Sequence, residues 1–473
     1  MLALGAAAAS AASAPSLTVA QPFSFPQEVA DSGGAGGVVA SALGTDGTAW
    51  GVVIGSAFSQ ESSGGFAILT RTADGAAQTQ VVVPGSSRGI MDAPVLSVLG
   101  DTATVAWIMM GQGVFGGGSF PVAVHTIRCT LSGCSPKQVI AHWVGQMPKG
   151  WGYEYLVPQP ALASSDGHTV IIYSRFAVRH PAMIWAQSGG YGFGHTHSFG
   201  VSGSVDPVSV SEAGGRIFAA WLDGPDVATS GNVLASYPHG VWFESSTWTA
   251  SGGFSRVAVA PTGSGADCGE LTAVATTGGA MLAWIQDSGL LYTQEGAYPN
   301  PVWVARVRAG LIGTPTRIHI DAIATSIAAA GDVVALGFEG SSDNATYGPT
   351  AVTTSVNGKP FSNPVPLDSE SLPPSLSIDS SGDVLAAWFE ASDEPDNVGY
   401  QKLAIASPGD AFGTPTTLGS GEVKGTNCLC AFSSMVSPLI DTVGEQSLVV
   451  WPLWPPPTSS TQAAVVSGML ATP

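Results

Sequence analysis

Carboxylates gather behind aromatic residues in this sequence. Four segments show the pattern: Trp221-Leu-Asp223-Gly-Pro-Asp226, Trp284-Ile-Gln-Asp287, Phe338-Glu339-Gly-Ser-Ser-Asp343 and Trp388-Phe-Glu390-Ala-Ser-Asp393-Glu394-Pro-Asp396. Carboxylates converging from separate segments suit three tasks. They hold calcium through oxygen ligands, pair with a cationic ligand, or act as acid and base on a glycosidic bond. The plainer reading is that solvated loops of an acidic protein simply carry Asp and Glu. A second set is aromatic. His142-Trp143-Val-Gly-Gln-Met-Pro-Lys-Gly-Trp151-Gly-Tyr153-Glu-Tyr155 reads as an unusually long link, and long links without secondary structure are often functional. Aromatics interleaved with Gly form stacking platforms for sugars or hot spots for protein partners. The plainer alternative is that they fold back and plug a central channel. Tyr237, Tyr292, Tyr298 and Trp454 fall in other loops. The ligand-binding candidates are therefore Trp143, Trp151, Tyr153, Tyr155, Asp223, Asp287, Glu390 and Asp393.

The remaining reactive residues are sparse. Cys129 and Cys134 flank a short Thr-Leu-Ser-Gly turn, where a cross-hairpin disulfide is geometrically allowed. Cys268, Cys428 and Cys430 leave an odd thiol whose pairing the sequence does not give. No Cys/His spacing matches a zinc site, so no metal ligands are assigned, and calcium is the one ion the acidic loops would suit. His195-Thr-His197 puts two imidazoles on one side of a strand, which reads as surface structure. Asn344-Ala-Thr346 has the form of a glycosylation sequon. There is no Ser nucleophile elbow and no phosphate-binding loop, so no catalytic residue is named.

These residues are positioned by a repeat. A short strand, a Gly- or Asp-containing turn and a run of small and apolar residues ending in an aromatic recur along the chain. The clearest copies are PVSVSEAGGRIFAAWLDG (207–224) and PSLSIDSSGDVLAAWFEA (374–391). Aligned on the aromatic, the anchors are Val53, Trp107, Tyr173, Trp221, Trp284, Gly337, Trp388 and Trp451, about 57 residues apart on average. A second half follows each anchor: a variable loop, an alternating strand, a turn and a short strand, as in YQKLAIASPGDAFGTPTTLGS (400–420). Four strands of this size cannot bury both faces of their own sheet, so each unit must pack on copies of itself. The apolar run Val384-Leu-Ala-Ala-Trp388 reads as a strand covered on both sides. The expected architecture is an all-β, closed propeller of about eight four-stranded antiparallel blades, with seven as the alternative. The eighth unit stops one strand short, and FSFPQEVADS (23–32) resembles the missing strand. The N-terminal strand is thus expected to complete the last blade and remove an open edge.

The x-D-x-x-G-x-hhh-W pattern, as in Asp379-Ser-Ser-Gly382 through Trp388, resembles the degenerate repeats of secreted bacterial propellers, distantly like the Asp-box repeats of sialidases. The resemblance spans nearly the whole chain and implies a fold, because such repeats serve enzymes, lectins and scaffolds alike. A sialidase-like activity would require three converging arginines and a Tyr/Glu nucleophile pair, and the early Arg-Ile-Pro motif of that family is absent.

Composition narrows the partners. The chain carries 15 Lys+Arg against 34 Asp+Glu, a net charge of −19. Such a surface repels nucleic acid and anionic membranes. No apolar run outside the N-terminus is long enough to span a bilayer. The 61 Gly and 33 Pro among 473 residues exceed the ordinary ~12% share and predict many turns. Residues 1–14, MLALGAAAASAASA, read as a signal-peptide-like export segment that lacks a basic start; residues 15–473 form one propeller domain. The leading expectation is a secreted, extracellular or cell-surface, monomeric and non-catalytic propeller that binds a glycan or a protein through its loop face. The alternative is a carbohydrate-active hydrolase, glycosidase- or sialidase-like, using acidic residues on that face.

Overall fold

The computed structural model describes residues 17–19, 23–24, 37–54, 65–84, 89–91, 94–111, 118–146, 159–176, 178, 182–189, 192–200, 205–212, 214–223, 242–255, 258–259, 267–287, 292–293, 296–297, 300–309, 311–322, 324–340, 348–390, 398–422, 438–453 and 465–472. Among them every regular element is a strand. The strands form antiparallel meanders, and the 375–422 meander is typical. Its inner strand Ser375–Ile378 pairs with Val384–Glu390, which pairs with Val398–Ala406, which pairs with Thr416–Glu422. The second strand is buried from Val384 to Phe389 without alternation, because a sheet stacks on each of its faces.

The architecture is an all-β propeller. Seven sheets of four or more strands are present among the described residues, the count carried above as the alternative. Eight separate sheets of that size are not seen among the described residues, because the meanders 324–371 and 375–422 share one eight-stranded sheet. Ser371 causes the fusion: it pairs with Gly348 on one side and with Glu390 on the other. At the chain ends, Thr18–Val19 pairs with Ala471–Thr472, and Phe23–Ser24 pairs with Ser467–Gly468.

Consecutive meanders are held by apolar seams. Trp107, Trp221, Trp284, Trp388 and Trp451 are all buried on second strands, and each packs on the meander before it in the chain. The anchor alignment fails at Gly337. Its α-carbon faces the following meander, where an added Cβ would lie 2.7 Å from Pro374. Phe338 fills the seam toward the preceding meander instead. Short turns join the strands at the other end. Asn357 and Gly358 have φ of 52° and 69°, the two left-handed positions of a type I′ hairpin turn, which Asn-Gly adopts at least cost.

Cys129 and Cys134 are opposite one another in register and disulfide-bonded, with Cα atoms 4.0 Å apart. On the same strand as Cys129, Ser119–Thr130, His125 is 8% exposed and stacks on Trp107 at 5.3 Å. Burial, reinforced by the charge of Lys137, lowers its pKa to about 4. An unfolded His binds its proton near pH ~6.5, so between that pH and about 4 the unfolded chain holds more protons. Stability contributed by neutral His125 is therefore complete above the unfolded value and lost as pH falls through this window. The contribution is about 2 kcal/mol, allowing for solvent screening. In urea unfolding at pH 7 and pH 4.5, His125→Phe should flatten the loss of stability; an unchanged slope would show that other groups carry it.

Candidate functional site

In a four-stranded meander the loops between second and third strands open on the same face as the links between meanders. On this loop face the register places four of the sequence-predicted acids at the ends of second strands. Asp223 lies opposite Trp242, Asp287 opposite Asp267, Glu339 opposite Thr350 and Glu390 opposite Tyr400. Trp151, Tyr153, Tyr155, Asp226, Tyr237, Tyr298, Asp343, Asn344, Asp393, Glu394, Asp396, Cys428, Cys430 and Trp454 lie outside the described residues. Tyr292 is on a two-residue strand paired through Ala297, and Cys268 is on an inner strand opposite Gln286.

Strand alternation brings two of the carboxylates to one seam. Glu390 shares its side of the strand with Trp388, which faces the preceding meander. Glu339 shares its side with Ala335, which faces the following one. Both therefore turn into the seam between the 324–371 and 375–422 meanders, whose sheets stack about 10 Å apart. Glu339 is only 4% exposed, and its Oε1 accepts the backbone N–H of Gly348 at 3.1 Å. It thereby closes the base of its own loop. A Cβ at position 348 would collide with the Gly340 carbonyl, so glycine is needed for this close approach. Beside it the hydroxyls of Thr350 and Ser371 are 2.6 Å apart and buried.

Glu390 is held differently. Its Oε2 is 2.9 Å from the ammonium of Lys402. Lys402 also donates to Thr417 Oγ1 at 3.1 Å and lies 5.4 Å over the Tyr400 ring. The register explains the grouping: Trp388 is opposite Lys402, Glu390 is opposite Tyr400, and Lys402 is opposite Thr417. Directly opposed residues share a face, and their diagonal neighbours come within reach of long side chains. The indole N–H of Trp388 donates to Asp368 Oδ2 at 3.3 Å across the seam. The result is a half-exposed ion pair, a phenol and a hydroxyl above a buried indole. The sequence reading missed Lys402, Tyr400 and Thr417, although their alternation in Tyr400-Gln-Lys402 was visible.

Trp143 is not a loop residue. The outer strand Gln138–Gln146 continues through it, opposite Val122. Its indole N–H donates to the Phe176 carbonyl at 3.0 Å, and the ring stacks on Tyr173 at 6.2 Å. Its aromatic surface fills a seam between meanders, so the expected link starts after Gln146. His197 is exposed and stacks on Trp185 at 4.5 Å. Among the described residues no group of three or more His, Cys, Asp or Glu is placed to hold a metal. In the Asp-box-like stretch, Asp379 is buried and its Oδ1 accepts the Asp383 N–H at 2.9 Å. Burial, and then the neighbouring Asp383 charge, raise its pKa above the usual carboxylate value. The Ser380 N–H bonds to the Gly444 carbonyl at 2.9 Å, so this turn ties two meanders together.

No family model matches the chain, and no curated protein matches it. Among solved structures it is similar to the polysaccharide lyase Uly1, with 8% identity, a TM-score of 0.42, and coverage of 80% of this chain and 89% of that one. A PL25 ulvan lyase bound to a glucuronic acid–sulfated rhamnose unit is similar at 13% identity and TM-score 0.45, covering 84% and 98%. A puromycin hydrolase mutant is similar at 12% identity and TM-score 0.44, covering 92% of this chain and 62% of that one. No helix among the described residues is long and apolar enough to cross a membrane.

Proposed function

We propose that this chain is an exported, non-catalytic propeller that binds a glycan, or alternatively a protein, through its loop face. The observation that carries the reading is the cluster of Glu390, Lys402, Tyr400 and Thr417 on the seam between the 324–371 and 375–422 meanders. A half-exposed ammonium and carboxylate offer donors and acceptors to a sugar's hydroxyls, and Tyr400 offers an apolar ring beside them. As placed, Glu390 is neutralised by Lys402 and Glu339 accepts a backbone N–H, arrangements that suit holding a ligand better than transferring a proton. Calcium on the acidic loops remains part of the proposal. The export-like residues 1–14 and the bonded Cys129–Cys134 pair favour an oxidising compartment.

One observation favours the hydrolase alternative: Glu339 and Glu390 turn into a single seam. The two readings separate in one experiment. A glycan array should yield a bound oligosaccharide, and Lys402→Met or Tyr400→Ala should weaken that binding at least about tenfold. Lys402→Met should cost little stability, about 1 kcal/mol at most, since the pair is partly exposed. Turnover of an aryl-glycoside that disappears in Glu390→Gln or Asp223→Asn would replace the binding reading with the hydrolase.

The same proposal takes the chain as eight units in a closed ring, the fused sheet counting as two. Apolar clusters at eight junctions support it, one of them joining Leu43, Ala49 and Val53 to Leu448 and Val450.

A further inference from the structure

A second site lies on the opposite face, and it does not rest on the reading above. We propose that Arg306, Arg308 and Lys359 form a binding site for a sulfate-type oxyanion at the turn end of the seam between the 267–322 and 324–371 meanders. Strand alternation sets the arginines. Val302 and Val304 face the 324–371 meander, so Arg306 and Arg308, continuing that side of the strand Asn300–Arg308, face it too. The Asn357-Gly358 turn of that meander meets them there. A Cβ on Gly358 would lie 3.0 Å from Arg306 Cζ, 3.1 Å from Nη1 and 3.0 Å from Nη2. Three nearly equal distances mean that the guanidinium lies flat over Gly358. Its face is packed and its orientation held, while the donors on its edge stay free of that contact. Lys359 follows directly in the turn and is exposed, as is Arg308.

This placement is unusual for the chain, which has only 15 Lys and Arg against 34 acids. Among the described residues Arg317–Asp321 and Lys402–Glu390 are ion pairs, and none is formed between a described carboxylate and Arg306, Arg308 or Lys359. Asp332 is the nearby acid, and its backbone carbonyl accepts the Asn357 N–H at 2.9 Å. A guanidinium fork fixed in orientation, with Arg308 two residues along the same side of its strand and Lys359 next to Gly358 in the turn, matches an oxyanion with several acceptor atoms. The net negative charge elsewhere opposes a long polyanion, which favours a single sulfate group, either free or as an ester on a short sugar.

The test is calorimetric titration of the full chain at low ionic strength with sodium sulfate, against sodium chloride. Sulfate-specific binding should weaken about tenfold or more in Arg306→Gln and in Arg308→Gln. It should be unchanged in Arg317→Gln, which removes the same charge from a paired, exposed site. Gly358→Ala displaces the guanidinium and should also weaken binding, with thermal melting reporting whether the turn has survived. A second arm compares a sulfated tetrasaccharide with its desulfated form. Preference for the sulfated sugar that Arg306→Gln abolishes identifies an ester, and sulfate binding without that preference identifies the free ion. Equal heats for sulfate and chloride, or an Arg317→Gln variant as impaired as Arg306→Gln, would overturn the site.

Discussion

Trp221→Ala will lower the unfolding free energy by about 3–5 kcal/mol. Trp221 is fully buried, and it sits where two meanders meet. Phe199 packs on it at 4.5 Å between ring centroids, and Phe199 in turn touches Phe254 of the next meander at 4.8 Å. Removing the indole takes away its own burial and leaves a cavity that these rings cannot readily collapse into, since the Phe199 N–H is tied to the Met183 carbonyl at 3.0 Å and Phe254 stands on the strand Gly253–Phe254. The propeller multiplies the consequence, because a meander has no core of its own and depends on its two seams. Val144→Ala is the matched control. Val144 is on an outer strand and 67% exposed, so its loss should stay within about 0.5 kcal/mol. Chemical unfolding of the three proteins decides the matter. A Trp221→Ala cost no larger than that of Val144→Ala would mean that the seams are not what holds the meanders.

The seams were the legible part of the fold, and the reason is local. A second strand covered on both faces shows an unbroken apolar run, as Val384 to Phe389 does, and a turn needing left-handed backbone shows Gly or Asn. Both signals sit within a few residues of each other. What required three dimensions was less legible. Gly337 aligned with the tryptophans by spacing, yet it belongs to the opposite side of its strand, because a one-residue offset exchanges the two faces. Trp143 looked like part of a Gly- and Pro-rich link, since its strand Gln138–Gln146 contains Gly145 and only its cross-strand partner Val122 identifies it. The Glu390–Lys402 pair is 12 residues apart in sequence and becomes a contact only through the register of two strands. Fusion of two meanders through Ser371 depends on one backbone pairing, for which no side-chain pattern exists. The acids at the strand ends could be placed on one face from topology alone, but which of them share a seam followed from which side each strand turns to its neighbour.

Truncation of the N-terminal strands should have the other large effect. In the closed ring proposed here, Thr18–Val19 and Phe23–Ser24 cover the outer edge of Val465–Thr472. Removing residues 15–33 strips that edge of its partners and leaves a row of backbone donors and acceptors open to another chain. The truncated protein should melt at a lower temperature and aggregate on heating, whereas removal of residues 1–14 should change neither. A distinct contact probes the same closure from the other side of the sheet. Asp441 Oδ2 accepts the Leu43 N–H at 2.7 Å, and its Oδ1 accepts the Thr442 N–H at 2.9 Å. Burial raises the pKa of this carboxyl above the usual value, so the two N–H groups are what make the site tolerable for it. Asp441→Ala leaves the Leu43 N–H without its acceptor and should cost about 1–3 kcal/mol. Asp441→Asn keeps an acceptor oxygen and should cost less. If closure is real, the Asp441→Ala loss should shrink in the truncated protein, because an opened ring no longer holds Leu43 against Asp441. Two costs that simply add would mean that the first and last meanders meet independently of the N-terminal strands.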